Sequence, residues 1–286
     1  MQKTRLEFRP QLEGFFRRYK VIANGSTLFC FNPGVPDRDA LDWNMKRPSI
    51  HPLYTPAGVP MTEQGAHNYP HHKACWIAHG RINGVNYYHD PQGGGRILAR
   101  KLDWTERDGV GILDAEIEWV DAAFNVVIRE QRRHWIRPGA RAHRIDVRTQ
   151  WQTPQETAEI AVEKHALFHI RVIEALSEAE GSTLRASNGK VGAAAIFDSE
   201  GNWIDCRGTV GGRKVGACIM GHPSECPQPL FARPYGTIAL NPFFHQAMTL
   251  RRGETWNHTY SVTVYDEAEQ FQAEAAYEEF AGTSFD

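Results

Sequence analysis

GVGILDAEIEWVD (109–121) and FNVVIREQRRHWIRPG (124–139) decide the fold class. In the first, Leu113, Ala115, Ile117 and Trp119 alternate with Ile112, Asp114, Glu116 and Glu118. That is the period of a strand with one apolar and one largely charged face. In the second, Glu130, Arg132 and His134 share one face and Gln131, Arg133 and Trp135 the other. A carboxylate, a guanidinium and an imidazole in a row can position and ionise one another. A solvated strand face gives the same pattern.

The same signature extends both ways along the chain. STLFCFNPG (26–34), HRIDVRTQWQT (143–153), RKVGACIMG (213–221) and TWNHTYSVTVYD (255–266) are short β-branched or alternating runs, and NG, PG, GG and RRGE turns punctuate the strands. Helix signals are sparse. EAEQFQAEAAYEEFAG (267–282) predicts a helix over about 267–281, capped by Asp266, ended by Gly282 and apolar along Phe271, Ala275, Tyr277 and Phe280. TPQETAEI (153–160) reads as one helical turn or a loop. With no helices between strands, a parallel sheet is excluded. The expectation is all-β: one domain over 1–286, a large antiparallel β-sandwich with a C-terminal helix on its outside.

Composition narrows the function classes. Thirty-two basic and 34 acidic residues give a net charge of −2, which argues against a nucleic-acid or membrane-surface partner. No apolar run approaches the roughly 18 residues a spanning helix needs, and MQKTRLEFRP lacks a signal-peptide core. A cytoplasmic location is expected. Five widely spaced cysteines without a CxxC pair fit reduced thiols, and Cys75 reads as a small buried side chain. No GxSxG, P-loop, dinucleotide or helical zincin motif is present.

Chemistry concentrates in residues 47–97, which hold six of the thirteen histidines: His51, His67, His71, His72, His79 and His89. Imidazole titrates near neutrality and ligates metals. Treated as a strand, NYPHHKACWIAHG (68–80) puts His71, Cys75, Ile77 and His79 on one face and His72, Ala74 and Trp76 on the other. His71 and His72 then diverge unless Pro70 sets them in a loop. In EKHALFHIR (163–171), His165 and His169 fall on one strand face roughly 13 Å apart. Arg47 and His51 flank prolines that stiffen RPSIHP, and Trp76, Tyr87 and Tyr88 offer flat faces of the kind sugars stack on. Arg233, Tyr235 and Asn241 sit in a Pro- and Gly-rich edge segment, where a fixed guanidinium suits oxyanion recognition.

Three blocks carry a family resemblance over about residues 20–265: RPSIHPLYTPAGVPMT (47–62), YPHHKACWIAHGRINGVNYY (69–88) with GGGRI (93–97), and RPYGTIALNPFF (233–244) with LRRGETWNHTYSVTVYD (250–266). They resemble the bacterial PmoA-like family, whose members carry the name methane oxygenase PmoA. The subunit behind that name is membrane-integral; no stretch here could span a bilayer. The resemblance implies a β-supersandwich related to galactose mutarotases, in sugar-catabolic settings beside Gfo/Idh/MocA-type oxidoreductases. Its motif positions are Arg47, His51, His71, His72, His79, Arg96, Arg233, Tyr235 and Asn241. Two segments depart from the family pattern: EKHALFHIR replaces a Gly-rich stretch, and WIDCRG (203–208) replaces a more aromatic WxDYxG.

The leading expectation is an enzyme acting on a glycoside or keto-sugar by histidine acid/base chemistry, as a lyase or hydrolase. His51, His72 and His79 are the proton-transfer candidates, with Glu130 as orienting carboxylate. Arg47, Trp76, Arg96, Arg233, Tyr235 and Asn241 would bind substrate. A divalent metal ion is the one cofactor considered, with His71, His72 and His79 as its ligands. Alternatives are a sugar epimerase or mutarotase, a non-catalytic carbohydrate-binding sandwich, and a metal-dependent oxygenase. The expected partner is a small carbohydrate or glycoside, with a homo-oligomer left open.

Overall fold

A computed structural model describes residues 4–13, 16–34, 46–90 and 93–285; the first three residues of the segment read for a leader lie outside it. In chain order the strands are β1 (Leu6–Glu13), β2 (Phe16–Ala23), β3 (Ser26–Asn32), β4 (Ser49–Leu53), β5 (Gln64–Ala66), β6 (Tyr69–Lys73) and β7 (Cys75–His79). Next come β8 (Arg96–Arg107), β9 (Val110–Val120), β10 (Val126–Pro138), β11 (Ala142–Gln152), β12 (Thr157–Ile160) and β13 (Ala166–Arg171). After β14 (Thr183–Ala186) and the one-turn helix α1 (Ala193–Ile196) follow β15 (Ser199–Gly201), β16 (Trp203–Val210) and β17 (Arg213–Gly221). The chain ends with β18 (Gln228–Ala232), β19 (Thr237–Leu240), β20 (Met248–Arg251), β21 (Trp256–Asp266) and helix α2 (Ala273–Ala281).

Two sheets face each other. A nine-stranded sheet runs β1-β2-β3-β4-β7-β13-β19-β18-β15 and an eight-stranded one β14-β16-β17-β21-β11-β10-β9-β8. Two ribbons, β5–β6 and β12–β20, complete the structure among the described residues. Neighbouring strands pair antiparallel. One hydrophobic core draws on both sheets: Phe168 of β13 stacks on Tyr260 of β21 with centroids 4.9 Å apart. The expected antiparallel sandwich with a C-terminal helix is what forms.

The decisive alternation holds in β9, where Leu113, Ala115, Ile117 and Trp119 are buried and Glu116 is exposed. The register then settles the ambiguous face of β10. Glu130, Arg132 and His134 pair with Ile117, Ala115 and Leu113 and therefore share their inward face. All three are buried. Glu130 accepts from Arg132 Nε (2.6 Å), Trp119 Nε1 (2.7 Å) and Thr149 Oγ1 (2.7 Å). A charge can stay in a core when it is paired and its lone pairs are filled. The opposite face, around Trp135, is covered by α2 through Ala273, Tyr277 and Phe280.

That helix starts six residues later than predicted. Asp266 does not cap it: its carboxylate accepts from Thr55 Oγ1 and Ala57 N, both at 2.8 Å. Glu267 follows at φ 53, which turns the chain before α2 begins, and Ala273 takes the buried place expected of Ala275. Of TPQETAEI, the last four residues are β12. No helix of the described residues is long and apolar enough to cross a membrane, which leaves β-barrels unaddressed.

Candidate functional site

Because Phe168 and Ile77 point into the sandwich, their neighbours His169 and Trp76, paired across β13 and β7, point to the other face of the nine-stranded sheet. Their rings stack with centroids 4.9 Å apart and floor a cluster of histidines and aromatics. Four segments far apart in sequence supply the rest.

The first is β6. Ala74 adopts φ 77, a left-handed conformation that separates β6 from β7, and the β5–β6 pairing is itself irregular. Strict alternation is lost, and the His71 and His72 rings meet edge-to-face at 4.7 Å rather than diverging. Tyr69 stacks on His72 at 4.9 Å. The second segment is the turn Asn86–Asp90. The Asn86 carbonyl oxygen accepts from the backbone N–H groups of Tyr88 and His89, both at 2.8 Å, an Asx turn that folds Tyr88 inward. Tyr88 lies 5.1 Å from both His165 and His169, and His89 lies 5.0 Å from His71.

The third segment, 163–165, precedes β13. His165 therefore sits in a turn and does not continue the strand face of His169. It lies 4.5 Å from His89, and its Nδ1–H donates to Glu163 Oε1 at 3.0 Å. That hydrogen bond holds the Glu163 carboxyl down to about 2. Glu163 in turn nests against Gly80, where a Cβ would fall 2.5 Å from its carboxyl carbon. The fourth is the β18–β19 hairpin, which brings Phe231 beneath His165 and His169 and Tyr235 against Tyr69 at 4.4 Å.

Beneath this cluster lies a buried charge network. Asp90 bridges Arg47 and Lys73, with Lys73 Nζ 2.9 Å from Oδ2. Arg47 also donates to the carbonyls of Tyr88 (2.5 Å) and His71 (3.5 Å). Two cations meet one carboxylate. Burial first, then positive neighbours including Arg47, push His71 and His89 down to about 4, His72 to about 2 and His169 well below its ordinary range. Burial thus favours the neutral form of all four imidazoles, each able to donate one hydrogen bond and accept another.

The remaining expected site residues divide. Tyr235 joins the cluster, its phenol pushed up to about 12 by burial. Arg233 lies at its edge, over Phe197 and Phe231. Trp76 is fully buried as floor, so its face is not open to a sugar. Arg47 is likewise buried and committed to the protein. Asn241 is consumed structurally: its amide donates to the Glu163 carbonyl (2.8 Å) and its oxygen accepts from Phe243 N. Arg96 stacks on Phe124. His51 contacts Thr62 from β4, its imidazole lowered to about 4 by burial and Arg18. His79 faces the sandwich interior against Phe243, its Nδ1 accepting from Arg81 N. His71, His72 and His79 thus cannot converge on one ion, and among the described residues no three His, Cys, Asp or Glu side chains are grouped to hold a metal. Glu130 is core.

A large antiparallel sandwich with a histidine-lined outer face is thus the class that fold and site define. The chain belongs to the family of unknown function DUF6807, whose model matches residues 18–280. No curated protein matches it by sequence. Among solved structures it is similar to a galactose mutarotase-like protein from Clostridium acetobutylicum, at 10% identity and TM-score 0.46 over 91% of this chain and 99% of that one. A putative aldose 1-epimerase from Escherichia coli aligns at 9% identity and TM-score 0.34, over 92% and 99%. The GH36 alpha-galactosidase AgaA from Geobacillus stearothermophilus aligns at 9% identity and TM-score 0.40, over 91% of this chain but only 40% of that enzyme's length.

Proposed function

We propose that the histidine cluster is the active site of a carbohydrate-active lyase that removes a proton beside the carbonyl of a keto-glycoside. The observation that carries the reading is the Glu163–His165 pair beside His89. The carboxylate fixes the Nδ1–H tautomer of His165, which leaves Nε2 as the base, and stabilises the imidazolium that forms. The buried excess of positive charge at Arg47 and Lys73 favours the developing enolate. Neutral His71 and His89 hydrogen-bond substrate hydroxyls. In the full step His165 takes the proton from the carbon next to the ketone, the enolate collapses and the bond to the glycosidic oxygen breaks. The proton returns to that oxygen, so an unsaturated ketone and a free alcohol leave.

The role expected of Glu130 passes to Glu163. The PmoA-like resemblance read from the three sequence blocks, and the oxidoreductase setting it implies, fit a ketone-bearing substrate. Incubation with 3-keto-glycosides tests the reading: release of the aglycone with an ultraviolet-absorbing enone is expected, and Glu163→Gln should lower kcat by about 100-fold. Solvent deuterium entering a glycoside that keeps its aglycone would make the protein an epimerase. Sugar binding without either outcome would make it a binding protein.

A further inference from the structure

Next to the histidine cluster lies a groove of about 220 Å³, lined by Glu63, Tyr69, Arg171, Glu174, Glu180 and Tyr235 among others. Tyr69 and Tyr235 belong to both: the two rings that cover His72 also form the groove's wall. Arg171 backs them, its guanidinium 4.9 Å from the Tyr235 ring and 5.9 Å from that of Tyr69. Its Nε donates to Glu63 at 2.9 Å, so Glu63 is neutralised. Glu174 and Glu180, both exposed, have no cationic partner among the described residues. Ser177 also lines the groove; it is 1% exposed and its hydroxyl has no hydrogen-bond partner among the described residues. The field is therefore reversed relative to the histidine cluster: positive beneath the reacting ring, negative here.

A groove of that size has room for one pyranose unit. Aromatic faces beside unfilled polar groups are the usual furniture of a sugar subsite.

We propose that this groove is a subsite for a second sugar unit, the departing part of the glycoside, and that its carboxylates select a neutral or amino-bearing unit over a uronate or sugar phosphate. The proposal rests on the reading of the histidine cluster as a glycoside site. Calorimetric titration of the wild-type protein with glucose, cellobiose, a glucosamine disaccharide and a glucosyl-glucuronate tests it, alongside the double variant Glu174→Gln/Glu180→Gln. The two uncharged or cationic disaccharides should bind at least about tenfold tighter than glucose. In the double variant the amino disaccharide should lose, and the uronate gain, about two- to fivefold, and both shifts should shrink in high salt. Glucose binding with no gain from a second unit, or a ranking the double variant leaves unchanged, overturns the subsite and leaves the histidine site standing. Binding of none of the four sugars also overturns the subsite, while the histidine site stands or falls by turnover of 3-keto-glycosides.

Discussion

Replacing Asp90 by Asn removes the only carboxylate from the Arg47–Asp90–Lys73 network without changing its volume. Arg47 and Lys73 have no exposed surface and Asp90 has 2%. Breaking a buried ion pair by neutralising one partner costs about 3–5 kcal/mol, because a charge is left in the interior. Two features place the cost near the lower bound. Arg47 keeps the Tyr88 carbonyl at 2.5 Å, and Lys73 keeps the Pro70 carbonyl at 3.0 Å. Against that, the new amide N–H₂ faces donors, so one of its sides goes unmatched. A loss of about 3 kcal/mol corresponds to about 5 °C in melting temperature for a chain of 286 residues. Calorimetry of Asp90→Asn measures it. Asp103→Asn is the control: Asp103 pairs with Lys101 at 2.7 Å, but both are more than half exposed, so little or no loss of stability should follow. A second readout ties stability to the site. Asp90 raises His71 and His89 against the pull of burial. In the variant both imidazoles should titrate still lower by NMR. A melting temperature within about 2 °C of wild type, or a shift no larger than that of Asp103→Asn, would refute the claim that this carboxylate holds two buried cations.

Glu130→Gln should destabilise the protein by about 3 kcal/mol, since Arg132 then lacks a buried counter-charge. Turnover of the folded fraction should stay within about threefold of wild type; a loss as deep as that of Glu163→Gln would return Glu130 to the active site. Gly80→Ala forces the Glu163 carboxyl away from a position 2.5 Å from the new methyl. A fall in kcat of about tenfold or more is expected, since a small displacement of a catalytic group suffices, with melting nearly unchanged; full activity would show that the carboxylate's position is immaterial. Stability should also depend on pH. Burial lowers His51, His71, His79 and His89 from 6.5 to about 4, so between those values the unfolded chain binds more protons. Their contribution is complete above about pH 6.5 and is lost as pH falls toward 4, at no more than about 1.4 kcal/mol per pH unit for each group and less for the half-exposed His71 and His89. Urea unfolding at pH 7, 6 and 5 should show that decline; a flat or opposite trend contradicts the burial of these rings.

The sandwich is legible from β9 because a period-two pattern with one charged face has one physical solution. β10 shows where that legibility stops. Glu130, Arg132 and His134 look alike as a solvated face and as a neutralised core network; only the register that sets Glu130 opposite Ile117 separates the two. The site is harder still. Its residue types are visible as a histidine-rich stretch, but His71 meets His72 only because Ala74 takes a left-handed conformation that alanine seldom adopts. His165 escapes the strand spacing that separates it from His169 because β13 begins one residue later. Arg47, stiffened by proline as expected, is turned inward by Asp90 and so supplies field rather than contact. The carboxylate that meets the histidines is Glu163, which reaches His165 through a turn pinned by Asn241 and cleared by Gly80. Each of those two residues matters for what it does to the backbone of another segment, and no spacing within a single segment records that.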